Sequence, residues 1–216
     1  MIRTETLLDH TILVNKKNDI VIFDLGTNDG RFYEKFIEFF GLNSIKKYVG
    51  VEPNIELFEN NLLPLCNDKV VMVNKAIYNE SNVELFFTEV ENHEAGNILA
   101  ENNEYFKWGE EEPKKYMVNT ITISDLMNDV GVDYIDYLKI DIEGSEYFLI
   151  DSLTPEICDK INQISIEFHD FIDPDLKDKT DEYVQKIIDL GYNLHFSSKW
   201  TGRFGTDYMD CLFIRK

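Results

Sequence analysis

Three short stretches of this chain hold residue types at spacings capable of chemistry. The first is Asp24-Leu25-Gly26-Thr27-Asn28-Asp29-Gly30. Gly26 permits a tight turn because it has no Cβ to clash at positive φ. Asn28 tolerates the left-handed region, and Gly30 lets a following helix approach closely. Such a loop presents its backbone to a ligand with no side chains in the way. The second stretch is Gly50-Val51-Glu52-Pro53-Asn54, where an acid at a strand end can accept both hydroxyls of a ribose. The third pairs Lys139, Asp141 and Glu143 with Glu167 and His169. Residues two apart share one face of a strand, and charges in so apolar a strand need partners.

The first loop lacks the middle glycine of the dinucleotide fingerprint, where a pyrophosphate needs close backbone contact. An amino-acid carboxylate and amine need it less strictly, which points to S-adenosylmethionine rather than NAD(P). Glu52 lies 28 residues beyond Asp24, against about 20 in dinucleotide domains. For the third stretch three readings stand. Asp141 or His169 can act as a general base toward an oxygen or nitrogen nucleophile. Asp141, Glu167 and His169 can instead hold a divalent metal that lowers the pKa of a substrate hydroxyl. The last reading is an ion network around Lys139. His10, His93 and His195 lack comparable neighbours in sequence and read as structural or exposed.

These residues must be positioned by alternating strands and helices. Strands are expected at Asp19–Leu25, Lys47–Val51, Val70–Val73, Tyr134–Ile142, Ile161–Phe168, Tyr192–Phe196 and Met209–Ile214. Val83–Thr88 and Met117–Ile123 alternate and read as antiparallel. Helices are expected at Arg31–Phe40, Ile55–Leu62, Ser145–Ser152 and Thr180–Leu190, the last stopping at Gly191. Ser124 is a candidate cap for a short helix through Asp129, and Pro155 suits a first helical turn. The alternation predicts an α/β fold, a mostly parallel sheet with helices on both faces. Its ligand then sits beyond the C-terminal strand ends, just after Leu25, Val51, Ile140 and Phe168. The polar excursion from Glu89 to Lys115 has the length of a lid or binding loop.

Together, the Asp24–Gly30 loop, the Lys139-Ile140-Asp141-Ile142-Glu143-Gly144-Ser145-Glu146 string and Glu167-Phe168-His169 resemble the FkbM family of methyltransferases. Asn74–Tyr78 is similar to that family's segment bordering the adenine, and the likeness runs from about Val21 to Phe213. It implies a Rossmann-like class I methyltransferase fold, a seven-stranded sheet with an antiparallel last strand. It implies S-adenosylmethionine as donor and a hydroxyl on a sugar or other small-molecule or glycan acceptor. Asp24, Gly26, Thr27, Asn28, Gly30, Glu52 and Ala76 are then the expected cofactor-binding residues. Asp141 can meet either the cofactor's amine or the acceptor. Lys139, Asp141, Glu167 and His169 form the expected catalytic group. Thr27 departs from the small residue common at its position.

Bulk properties narrow the partners. A chain of 216 residues fits a single domain, 1–216. Its net charge of −20 disfavours nucleic acid as a substrate. No apolar stretch approaches the roughly 20 residues that span a bilayer, and the N-terminus lacks signal-peptide order, so a cytoplasmic protein with no membrane partner is expected. The three cysteines, Cys66, Cys158 and Cys211, form no C-x-x-C pair. Two alternatives remain: an NAD(P)-dependent oxidoreductase on a related sheet, and a non-catalytic scaffold that keeps the cofactor pocket.

Overall fold

A computed structural model describes residues 3–89, 96–98, 114–170, 174–199 and 208–216, with side chains left aside over 174–178. An N-terminal hairpin, β1 (Thr4–Leu7) and β2 (His10–Leu13), precedes the central strands β3 (Ile20–Leu25), β4 (Ile45–Val51) and β5 (Val70–Val73). Three outlying strands follow, β6 (Ala76–Ile77), β7 (Glu84–Glu89) and β8 (Lys114–Ile121), then β9 (Tyr137–Ile140), β10 (Gln163–Glu167), β11 (Tyr192–Ser197) and β12 (Asp210–Arg215). The main sheet has seven strands in the order β11-β12-β10-β9-β3-β4-β5. Its neighbours from β10 to β5 pair in parallel, whereas β12 runs antiparallel to both β10 and β11. The expected sheet with its reversed last strand is thus observed. β7 and β8 form the expected antiparallel pair, with β6 alongside β8.

Apolar residues explain this layering. Every residue of β3 is buried, as expected of a strand covered on both faces. Val21, Phe23 and Leu25 face one core with α3 (Ile123–Val130) and α4 (Glu146–Ser152). Ile20 and Ile22 face a second core with Phe32 and Phe36 of α1 (Arg31–Phe40). Phe36 meets the Tyr137 ring edge-on at 5.6 Å. Full burial of such a side chain contributes about 1.5–3 kcal/mol. α6 (Pro174–Asp189) packs beside β11 and α4. Among the described residues, no helix is long and apolar enough to cross a membrane.

Several local expectations shift. The cap of α3 is Thr122, whose Oγ1 accepts the Asp125 N–H at 3.1 Å, and Ser124 lies inside the first turn. The helix expected at 55–62 is one short turn, α2 (Ile55–Leu57), continued by a π turn at Phe58–Leu62. β9 stops at Ile140, two residues early. Pro155 does open a helix, α5 (Pro155–Cys158), and Gly191 follows α6 at positive φ. The hairpin of β1 and β2 was not anticipated.

Candidate active site

The C-terminal ends of β3, β4 and β9 lie side by side, with Leu25 registered against both Val51 and Ile140. The chain leaving β3 turns at once, with Gly26 at φ 79°, Asn28 at 53° and Gly30 at 92°. Gly26 is dictated by its neighbour as well as by its φ. A Cβ there would lie 1.6 Å from the carbonyl oxygen of Asp141. The loop and the end of β9 therefore touch backbone to backbone.

Glu52 fastens this loop from β4. Its Oε2 accepts the Asn28 N–H at 2.9 Å and its Oε1 accepts the Asn54 N–H at 2.8 Å. Burial pushes its carboxyl up to about 7, against the two backbone donors. Asn54 in turn caps α2 through Oδ1. Beside this arrangement opens a cleft at the strand ends, the place where ligands sit in open α/β sheets. Gly26, Asn28, Glu52, Ala76 and Ile77 line it, together with Asp141 and Glu143.

Asp24 and Thr27 lie behind the loop rather than in the cleft. Asp24 is fully buried, accepts the Tyr48 hydroxyl at 2.5 Å and pairs with Lys139 at 3.1 Å. Lys139 Nζ also donates to the Gly26 carbonyl at 2.6 Å and lies 3.5 Å from Asp141 Oδ2. Burial opposes the Lys139 charge, but Asp24 and Asp141 outweigh it and raise the pKa. Thr27 Oγ1 donates to the Asp24 carbonyl. Gly30 begins α1 against Leu62 and Leu65. These four residues shape the loop from beneath.

The third stretch converges, though not on a strand face. Past Ile140 the chain enters a turn with Glu143 at φ 52° and Gly144 at 93°. Glu146, at the start of α4, accepts the N–H groups of Ile142 and Gly144 with Oε1, at 3.1 and 3.2 Å. The same oxygen lies 2.9 Å from His169 Nδ1, so Nδ1 carries the proton. His169 Nε2 then faces Glu143 at 3.4 Å, Asp141 at 3.6 Å and Glu167 at 3.8 Å. Burial works against the imidazolium, yet the surrounding Glu143, Glu146 and Glu167 hold the His169 pKa well above its ordinary value. Burial raises Glu167 to about 8 and Glu143 to about 7. For Asp141 burial is overcome by Lys139, His10 and His169, which hold its carboxyl well below the usual range.

Of the histidines set aside earlier, His10 is a correction: it reaches Asp141 Oδ2 through Nε2 at 3.5 Å. His195 is exposed, and His93 lies outside the described residues. Most of the 89–115 excursion lies outside them too, but Gly96, Asn97 and Ile98 line the cleft with Phe87. Lys75, Ala76 and Ile77, within the Asn74–Tyr78 segment compared above with the family's adenine border, line the cleft as well. Among the described residues, two groups of side chains have their donor atoms within 4.8 Å of one another, close enough to share a divalent metal. They are His10, Asp141 and Glu167, and Asp141, Glu143 and His169. The trio expected from sequence is divided between them.

The profile of the FkbM methyltransferase domain matches residues 24–194, from the Gly26 loop through the His169 cluster. The chain belongs to the FkbM methyltransferase domain family. That membership displaces the oxidoreductase alternative. No curated protein matches the chain. Among solved structures, the methyltransferase FkbM of Methylobacillus flagellatus is similar over 93% of this chain at 15% identity, with a TM-score of 0.53. This FkbM-domain chain spans 45% of that protein's length. A precorrin-6y C5,15-methyltransferase from Geobacter metallireducens covers 94% of the chain and 83% of itself, at 11% identity and a TM-score of 0.48. TrmK of M. capricolum, solved with S-adenosyl-homocysteine, covers 94% and 65% at 11% identity and 0.46. The first of these likenesses supports the class I methyltransferase fold.

Proposed function

We propose that the chain is an S-adenosylmethionine-dependent methyltransferase that acts on a hydroxyl of a sugar or another small-molecule or glycan acceptor. One observation carries the reading: Asp141 and Glu143 line the cleft and also touch His169. The cleft and an ionisable cluster thus share a wall. The lining suits the donor. Ala76, Ile77 and Phe87 offer an apolar surface to a purine, and Glu52 retains lone pairs for ribose hydroxyls beyond the two N–H groups it already accepts.

When bound, the donor supplies a methyl group on a positively charged sulfur, already activated for in-line displacement. The protein's part is to position the acceptor and to take its proton. Glu143 and Glu167, raised to about 7 and about 8, match the working pH of a proton acceptor better than Asp141 does. His169 bridges them. In this reading the acceptor proton enters the His169–Glu167–Glu143 cluster, while Asp141 stays ionised and orients the imidazole.

A divalent metal is a second reading, favoured by the mixed imidazole and carboxylate donors of the two groups that share Asp141. Asp141, Glu143 and His169, or His10, Asp141 and Glu167, would hold it, and it would lower the pKa of the acceptor hydroxyl. The test is a screen of hydroxylated acceptors for methyl transfer, with S-adenosylmethionine binding followed by calorimetry, with and without chelator. Turnover that survives chelation supports the proton-acceptor reading. Turnover lost to chelator and restored by Mg²⁺ supports the metal. Tight donor binding with no transfer to any acceptor points instead to a non-catalytic scaffold.

A further inference from the structure

The N-terminal hairpin precedes the residues 24–194 that match the family, yet it delivers a side chain to the site. β2 is buried throughout and lies against β10 and β12. It is clamped there by one glutamine. Gln163 Oε1 accepts the Leu13 N–H at 2.7 Å, and its Nε2 donates to the Leu13 carbonyl at 3.0 Å. Leu7 and Ile12 anchor the same hairpin in the core with Phe32 and Phe36. The clamp leaves His10 almost wholly buried, edge-on to Phe32 at 5.6 Å. Its Nδ1 lies 3.5 Å from the Ser165 hydroxyl and its Nε2 lies 3.5 Å from Asp141 Oδ2.

We propose that His10 is a positioning residue that orients Asp141 toward the reaction. The inference rests on the methyltransferase reading above. The Asp141 carboxylate can only accept, so Nε2 is the donor of that contact, and the Ser165 hydroxyl is then placed to donate to Nδ1. Lys139 holds the same Oδ2 from the other side at 3.5 Å. With Oδ2 taken by these two groups, Oδ1 is left toward His169. Such contacts are often long before substrate binds and shorten in the reacting complex. The hairpin therefore serves as a brace that fixes one carboxylate rotamer on the cleft wall.

The first arm of the test needs no acceptor. Imidazole nitrogen NMR on the full chain should show His10 carrying a proton on Nε2, with a signal that moves in Asp141→Asn. The second arm uses the acceptor that gives the highest turnover in the screen. His10→Leu should lower kcat about tenfold with the KM for S-adenosylmethionine nearly unchanged, as loss of an orienting contact does. His10→Gln, which keeps a donor in place, should restore most of the rate. In an Asp141→Asn background His10→Leu should have little further effect. Additive losses, no rescue by glutamine, or a His10 signal indifferent to Asp141→Asn would overturn the proposal. Rescue of His10→Leu by Mg²⁺ rather than by glutamine would overturn it in favour of a metal-ligand role. If no acceptor turns over, the methyltransferase reading fails separately, and the NMR arm still decides the His10–Asp141 pairing.

Discussion

The two walls of the cleft are built on opposite principles. The wall formed by the Gly26–Asn28 loop and Glu52 is made of backbone, and its one charged group already accepts two N–H donors. The wall around His169 is made of side chains, with Asp141, Glu143, Glu146 and Glu167 set around one imidazole. The first wall is a preformed shape. The second concentrates negative charge, and burial raises two of its carboxyls toward neutrality. In the proposed reading the first wall would recognise the donor by fit, whereas the second would exchange a proton or meet a positive ligand. Lys139 links them, since it holds both the Gly26 carbonyl and Asp141.

The largest effect should come from breaking the shape wall. Gly26→Ala places a Cβ against the Asp141 carbonyl at a positive φ. The overpacking and backbone strain should cost about 3–5 kcal/mol, and donor binding should vanish with it. Thermal melting and calorimetry check both, and a variant that melts and binds like the parent would show that the two backbones need not touch. Next in size is the charge wall. His169→Ala should lower kcat about 1000-fold while the donor dissociation constant changes little, since His169 does not line the cleft. A large loss of donor affinity would erase the distinction between the walls.

The sequence made the first wall far more legible than the second. Turn chemistry is local, so Gly26, Asn28 and Glu52 could be placed from the order of residues alone. Which side of the loop each faces was not local. Asp24 and Thr27 were expected on the cofactor, but Tyr48 and Lys139 draw Asp24 underneath, where nothing in its spacing signals burial. The second wall was reached through an incorrect geometry. Asp141 and Glu143 were expected to share a strand face, yet β9 ends first and a left-handed turn at Glu143 and Gly144 brings them together. Glu146 organises that turn, a role visible only once its carboxylate is seen to accept two N–H groups and to meet His169. His10 was out of reach. Its strand has four residues, too short for periodicity to register, and its partner Asp141 lies 131 residues away. The sheet order was legible because whole apolar runs, rather than single side chains, decide it.

Glu52→Ala sharpens the comparison at smaller scale. It removes the acceptor for the Asn28 and Asn54 N–H groups and the acceptor proposed for the donor's ribose hydroxyls. Hydrogen bonds to a charged group contribute about 1.5–3 kcal/mol each, so the loss of two ribose contacts should weaken donor binding by at least about 100-fold. Calorimetry that shows unchanged affinity would refute the ribose assignment.

The smallest effect is the pH dependence of stability, and it separates the walls by sign. Glu143, Glu167 and His169 all bind their protons more tightly folded than unfolded. The stability this contributes is full below their ordinary pKa values and is lost as pH rises through the folded ones. The melting temperature should therefore fall by a few degrees between about pH 5 and pH 8. Glu52, raised to about 7, adds to the same slope from the other wall, so substitutions must apportion it. Glu167→Gln should make the decline shallower, because a neutral side chain has no proton to lose. A cationic ligand should flatten it too, by lowering the carboxyl pKa values in the folded state. If S-adenosylmethionine flattens the slope of the parent but not that of Glu167→Gln, the positive charge is felt by the His169 wall. An equal response in both proteins would show that Glu167 does not feel that charge. A melting temperature that rises across this range would mean that the carboxylates around His169 are not crowded as the geometry has them.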